Sequence, residues 1–523
     1  MRARGLPFAQ NQPPARLRLT TPLSGGQGKT VNELNQLLDG FAAALTFKHL
    51  AMCFLGVLMG QMVGVLPGIG PAAAIALLLP LTFGTDPTSA IILFAGIYYG
   101  SQYGGTLTSV LVSVPGESST VMTSIDGYQM ALQGRAGPAL GIAAIGSFIA
   151  GTLGTLGLTL LAPVLARGAL AFGPPEYFAL VLLGLTALAA VGSGVVKGLV
   201  AGVAGLLMGT IGIDPQNGIA RFDFGRPWLL DGIEFIVLTV ALFGVGEVVA
   251  SCVLAVVRPV ADVKHVLPTR ADWRASRMPI LRGTTIGFLV GVLPATGATI
   301  ASFLAYIVEK KVAKDPSRFG KGAIEGVAGP ESANNAAAAG AMVPMLSLGV
   351  PGSGTTAIIL GALIMFGIRP GPELFTKNAD LVWAVIASMY IGNVILLVLN
   401  LPLAGLFARL LKIPYRWLYP PILALCIAGV YSQSNSLQDC WLLAAFGVLG
   451  WLMKRYDWSM APMILGLVLG PLFETALRQS LTLSHGSGAI FVTRPISATL
   501  LAFAALAVTA PLWTRIFFRA KTV

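Results

Sequence analysis

GVLPGIG at 64–70 and GVLPATG at 291–297 repeat one phrase, and SVPGESST at 113–120 and GVPGSGTT at 349–356 repeat another in the same order. Pro67 recurs as Pro294 at an offset of 227 (294 − 67), and Pro115 as Pro351 at an offset of 236 (351 − 115), a drift of nine. All four phrases interrupt apolar stretches. Proline removes a backbone donor and glycine carries no side chain, so each phrase breaks a helix. A break inside hydrocarbon leaves unpaired N–H groups on one side and unpaired C=O groups on the other. Two matched breaks in order imply duplication, with a first membrane repeat at 31–257 and a second at 283–523. A polar cytoplasmic loop at 258–282, holding Arg258, Lys264, Arg270, Arg274, Arg277 and Arg282, joins them.

The composition around these phrases is that of a membrane protein. Of 523 residues, 55% are hydrophobic and 11% charged, with mean hydropathy +0.79. A soluble chain carries about 25% charged residues. At roughly 20 apolar residues per crossing, the chain allows about ten to twelve spans. The expected fold is an all-α polytopic membrane protein with broken and re-entrant hairpins. The pieces 284–293 and 297–308 are each too short to cross about 30 Å at 1.5 Å per residue. Basic residues flank both, so together they read as a hairpin that enters and leaves on one side.

Lys and Arg number 34 against 22 Asp and Glu, a net charge of +12. The basic residues sit in short loops, as the positive-inside bias requires, and no nucleic-acid partner is implied. Cys53, Cys252, Cys426 and Cys440 form no CxxC pair, and the three histidines have no ligand spacing, so neither a disulfide framework nor a metal site is expected. Residues 1–30 are polar and basic, lack the apolar core of a signal peptide, and read as a disordered extension outside the fold. Within them GGQGKT (25–30) fails as a phosphate loop, because position 23 is leucine and no strand precedes it.

Broken helices at matching places in two halves point to a solute site. Their N–H ends attract an anion and their C=O ends a cation. The substrate-binding candidates are Gly68, Gly70, Ser113, Gly116, Ser118, Ser119 and Thr120 in the first half. In the second they are Thr296, Gly297, Asn334, Asn335, Gly352, Ser353, Thr355 and Thr356. Other polar residues lodged among the spans include Tyr99, Gln102, Thr106, Ser109 and Thr299. Glu117, Glu331, Asn334 and Asn335 are candidates for ion coupling; the sequence does not choose between Na⁺ and H⁺, and no other cofactor is expected. No Lys or Arg lies in the break motifs, so an anion would rest on backbone N–H groups, hydroxyls and amides. With no HExxH, no GxSxG in a strand–turn–helix setting and no His/Asp cluster, the chain does not read as an enzyme. A channel, or a membrane scaffold or sensor without coupled transport, is the alternative to a transporter.

Residues 64–120, 126–154 and 329–375, with their PGIG, PGESS, PESANN and PGSGTT segments, resemble the large membrane subunit of the bacterial tripartite tricarboxylate transporters, the TctA type. The similarity runs from about Val31 to near the C-terminus. The resemblance implies a multi-pass inner-membrane permease importing citrate-like or related carboxylates by secondary transport. It also implies a periplasmic solute-binding protein and a small four-helix membrane subunit as partners, and a site lined by the four segments.

Overall fold

The structure is a computed structural model and describes residues 27–66, 70–191, 194–214, 217–251, 263, 266–294, 297–410 and 419–519. The N-terminal extension up to residue 26, Gly68, Thr296, Arg258 and Lys264 lie outside the described residues.

The first repeat opens with α1 (Gln27–Ala44), α2 (Phe47–Gly64), the short α3 (Pro71–Leu78), α4 (Pro87–Val112), α5 (Val121–Leu132) and the long α6 (Ala136–Ala169). Then come α7 (Pro174–Val191) and α8 (Val195–Met208). A loop with a two-residue antiparallel ribbon, Gly212–Ile213 on Ala220–Arg221, leads to α9 (Phe235–Thr239), a π-type turn (Val240–Val245) and α10 (Gly246–Ser251). The second repeat runs α11 (Arg270–Val292), α12 (Gly297–Val312), α13 (Glu325–Leu348), α14 (Gly354–Met365), α15 (Leu374–Lys377) and α16 (Ala379–Leu410). The chain ends with α17 (Tyr419–Ser434), α18 (Leu437–Arg455), α19 (Ala461–Leu483), α20 (Ile490–Thr493) and α21 (Pro495–Arg519).

This is an all-α polytopic membrane fold. Among the described residues, four helical stretches are long and apolar enough to cross a bilayer alone: Phe47–Gly64, Ala136–Ala169, Ala379–Phe407 and Ala461–Leu483. The remaining apolar helices are shorter pieces, such as Pro174–Ala189, Val195–Met208 and Gly354–Met365. The break at Pro351 accounts for the last of these.

The packing carries the duplication in register. A Cβ on Gly56, Gly60 or Gly64 of α2 would meet the carbonyl oxygens of Leu93, Ile97 and Ser101 on α4 at 2.4, 2.4 and 2.3 Å. A Cβ on Gly283, Gly287 or Gly291 of α11 would meet those of Gly329, Ala333 and Ala337 on α13 at 2.2, 2.2 and 2.4 Å. The glycines of α11 follow those of α2 at the offset of Pro294 from Pro67, and their partners on α13 follow those on α4 at the offset of Pro351 from Pro115. In lipid, small residues at four-residue spacing let two helices touch backbone to backbone, where dispersion replaces the missing hydrophobic drive. The drift between the repeats therefore falls between α11 and α13. The loop after α12 there is tied down by one carboxylate: Asp126 of α5 accepts from the N–H groups of Gly320, Gly322 and Ala323 at 2.8 to 2.9 Å and from the Tyr306 hydroxyl at 2.9 Å.

The repeats run in opposite directions. Helix α11 runs along α6, with Ile280 beside Gly146 and Phe288 beside Gly157. Helix α16 runs against α6, since Asn393 meets Gly151 and the Tyr390 hydroxyl reaches Thr159. Helix α2 follows α16, with Cys53 against the Ser388 carbonyl and Val57 beside Gly392. So α2 and α11 are antiparallel, and the two hairpins enter from opposite ends of α6.

One expectation is corrected. The stretch from Arg270 to Arg282 is not loop but the outer part of α11, started by a capping box in which Thr269 and Asp272 bond each other's backbone N–H. The piece 284–293 is thus the inner end of a 23-residue helix, about 34 Å long. Its partner α12 returns to the same end, where Arg282 donates to both oxygens of Glu309 at 2.8 and 2.6 Å and clamps the two arms.

Candidate functional site

A cavity of about 770 Å³ opens where the breaks converge. Gly70, Pro71, Ala72 and Ala73 line it from α3, and their counterparts at the first offset, Gly297, Ala298, Thr299 and Ile300, line it from α12. Glu117, Ser118 and Ser119 line it from the turn before α5, and their counterparts at the second offset, Ser353, Gly354 and Thr355, line it from the start of α14. The inverted repeat is therefore the symmetry of the cavity.

All four of these segments are helix beginnings. Gly70 is the N-cap of α3 with Pro71 in its first turn, α12 starts at Gly297, Ser353 is the N-cap of α14, and a 3₁₀ turn at Ser118–Thr120 runs into α5. First-turn N–H groups lack intrahelical acceptors and carry the positive end of the helix dipole. Four such ends facing one space give it a positive field from backbone alone, of the kind that suits an anion.

Side chains finish the walls. Ser353 and Thr356 form a reciprocal capping box: Thr356 N–H donates to Ser353 Oγ at 3.2 Å and Ser353 N–H to Thr356 Oγ1 at 2.8 Å. The Tyr98 hydroxyl of α4 lies 3.2 Å from Ser353 Oγ, joining the repeats. Ser118 Oγ lies 2.8 Å from Thr299 Oγ1, joining the turn before α5 to the tip of α12. Gln102 is fully buried; its Oε1 accepts from Ser119 Oγ at 3.0 Å, which leaves Nε2, with no partner among the described residues, as a donor in the cavity wall. Glu117 also lines the cavity, and its Oε2 is buried with no partner among the described residues.

Gly116 also lines the cavity, and the remaining described candidates support the walls from behind. Ser113 ends α4 in the left-handed conformation at φ 55°, where its counterpart Gly349 ends α13 at φ 73°. A Cβ on Gly116 would meet Gly105 Cα at 2.7 Å, and one on its counterpart Gly352 would meet Ala341 Cα, the counterpart of Gly105, at 2.6 Å. Thr120 is buried and donates to the Glu117 carbonyl at 2.9 Å. Glu331, Asn334 and Asn335 are buried on α13 and do not line the cavity. Glu331 accepts from Thr106 at 2.7 Å and from Thr123, while Asn335 donates to Ser147 at 2.7 Å and so fixes α13 on α6. Neither atom of the Asn334 amide has a partner among the described residues.

The sequence reading missed one wall. Leu188, Phe243, Lys454, Asp457, Trp458, Ser459, Met460 and Ala461 also line the cavity. Lys454 brings a basic side chain to a site whose break motifs contain none. The charged run Lys454–Arg455–Tyr456–Asp457 closes α18, and no local signal says that it folds over a distant break.

Inverted repeats, glycine-seamed broken helices and a shared cavity at their tips define a membrane transporter component. The model of the tripartite tricarboxylate transporter TctA family matches residues 50–465, and the chain belongs to that family. It is similar to an uncharacterized 52.8 kDa protein in the TAR-I ttuC′ 3′ region of Agrobacterium vitis, 49% identical over 473 residues, or 90% of this chain and 94% of the relative. An uncharacterized protein in the TAR-II ttuC′ 3′ region of the same organism is 50% identical over 215 residues, or 41% of this chain and 89% of the relative. No solved structure matches the chain.

Proposed function

We propose that this chain is the permease subunit of a system that imports citrate-like tricarboxylates or related carboxylates across the bacterial inner membrane, driven by a Na⁺ or H⁺ gradient. A periplasmic solute-binding protein delivers the substrate and a small four-helix membrane subunit accompanies the permease. The observation that carries the reading is the convergence of four helix N-termini, two from each inverted repeat, on one cavity. A carboxylate there accepts from first-turn N–H groups, from Ser and Thr hydroxyls and from Gln102. The basic end, with Lys310, Lys311, Lys314, Arg318 and Lys321, faces the cytoplasm. Transport is alternating access, with the hairpin tips moving against a scaffold around the bound solute. Glu117 and the buried Glu331 and Asn334 are the groups for the coupling ion, since polar and ionisable side chains at depth serve ions or protons.

The test is uptake of labelled citrate and a panel of di- and tricarboxylates into proteoliposomes holding the chain and its small subunit. The binding protein is outside and a Na⁺ or H⁺ gradient is imposed. Gradient-dependent accumulation supports the reading and names the ion. Uptake without coupling or saturation makes the protein a channel, and no uptake under either gradient removes the carboxylate importer.

A further inference from the structure

We propose that Glu331 is the proton site of this protein: it takes up H⁺ as the anionic solute binds, so that the two cross the membrane together. This rests on the carboxylate reading above and deepens it by naming the coupling ion and the residue that holds it. Glu331 is fully buried on α13, and no basic side chain pairs with it among the described residues. An ionised carboxyl taken out of water with no counter-charge is costly, and such a group turns neutral by taking a proton.

Its surroundings accept either state. Thr106 of α4 donates to Oε2 at 2.7 Å and Thr123 of α5 donates to Oε1. Those two donors suit the ionised form. The Thr106 hydroxyl also lies 3.2 Å from the Gln102 carbonyl oxygen. When a proton from water adds to Oε2, the carboxyl donates to Thr106 Oγ1, and the Thr106 hydrogen turns wholly to Gln102. No polar atom of the set loses its partner. A Na⁺ ion has no such place, because both carboxylate oxygens are already met by hydroxyls at hydrogen-bonding distance.

The position couples the proton to the solute. Glu331 belongs to the second repeat and both its donors to the first. Thr106 stands one turn after Gln102, and Thr123 follows the turn at Ser118–Thr120 whose start lines the cavity. The titratable groups whose charge acts on that of Glu331 are Glu117, which lines the cavity, and Tyr103 of α4. Other charged groups that face α13 are spent elsewhere. Arg282 of α11 pairs with Glu309 of α12, and Asp126 of α5 holds the Tyr306 hydroxyl and the loop after α12. Helix α6 meets α13 through Gly146, Ser147 and Gly154, and α14 carries no ionisable residue. An anion in the cavity therefore favours the neutral form of Glu331, and the neutral form favours the anion, since linkage is reciprocal.

The experiment is calorimetric titration of the purified chain in detergent with citrate and succinate, without Na⁺, in buffers of different ionisation enthalpy. At about pH 8 both succinate carboxyls are ionised, so protons taken up belong to the protein. The unmodified chain is expected to take up about one proton per succinate, with affinity falling roughly tenfold per pH unit above that point. Glu331→Gln is expected to bind without proton uptake and with an affinity that no longer changes with pH. Glutamine has the shape and the donor of the protonated acid, so a Glu331→Gln chain that fails to fold or to bind also overturns the proposal. So does unchanged proton uptake in that variant, or binding by the unmodified chain that requires Na⁺ and takes up no proton; in each of these cases the carboxylate reading stands. If the unmodified chain binds neither citrate nor succinate, with or without Na⁺, the carboxylate reading fails and this inference with it.

Discussion

Glu117 and Ser353 hold the same place in the two halves of the molecule, each just ahead of the first turn that faces the cavity. Their work has diverged. Ser353 spends its hydroxyl on the capping box of α14, whereas the Glu117 side chain makes no cap and leaves one oxygen without a partner among the described residues. Duplication supplied two equal frames, and the differences between matched positions mark where to test function.

Ser353→Ala should show the cost of that cap. Removing an N-cap hydroxyl costs about 0.5–2 kcal/mol, so the melting temperature in detergent should fall modestly. Carboxylate affinity should fall as well, because the first turn of α14 is then less fixed. Ser353→Thr, which preserves an N-cap hydroxyl, should restore stability.

The glycine seams predict paired damage. Gly60→Ala and Gly287→Ala each drive a Cβ to within 2.4 and 2.2 Å of a carbonyl oxygen on the facing helix. Overpacking of this kind costs about 1–3 kcal/mol, and both variants should melt earlier by similar amounts. Gly168→Ala, with nothing within 4 Å of the added carbon, should melt no earlier than the parent protein.

Asp126→Ala should be the most damaging single change outside the cavity. It removes the shared acceptor of three backbone N–H groups and of the Tyr306 hydroxyl. Each buried donor left unpaired costs about 1–3 kcal/mol. Limited proteolysis should then cut the loop after α12, and the variant should express poorly.

Ser118→Cys with Thr299→Cys tests the contact between the repeats. The two hydroxyls are 2.8 Å apart, so mild oxidation in a background cleared of Cys53, Cys252, Cys426 and Cys440 should close a disulfide. Uptake should stop on oxidation and return on reduction if the tips separate during the cycle. Uptake that continues through the crosslinked state would refute movement at this contact.

Acid should weaken the basic end of α11. Burial pushes the Asp272 carboxyl up, but the Thr269 hydroxyl and N–H and the Arg135 guanidinium outweigh it and hold the group below the usual carboxylate range. A carboxyl depressed in the folded state stabilises above its unfolded value of about 3.9 and loses that contribution as pH falls through the folded value. Melting temperature should therefore drop as pH falls below about 4, and by less in Asp272→Asn.

Much of this was written in the chain itself. The breaks at Pro67, Pro115, Pro294 and Pro351 and the glycines at four-residue spacing are backbone properties, set locally by missing donors and missing side chains. Membrane character was therefore legible from composition, and the broken helices and their repetition from order and offset. The start of α11 was not, because charged residues between Arg270 and Arg282 look like loop until Thr269 and Asp272 cap them into a helix. Tertiary structure alone decided that Asn334, Asn335 and Glu331 lie behind the cavity wall, that Tyr98 of the first repeat reaches Ser353 of the second, and that Lys454 faces the site. Which face of a helix meets which neighbour is settled by packing among many helices, and spacing along one of them does not carry that information.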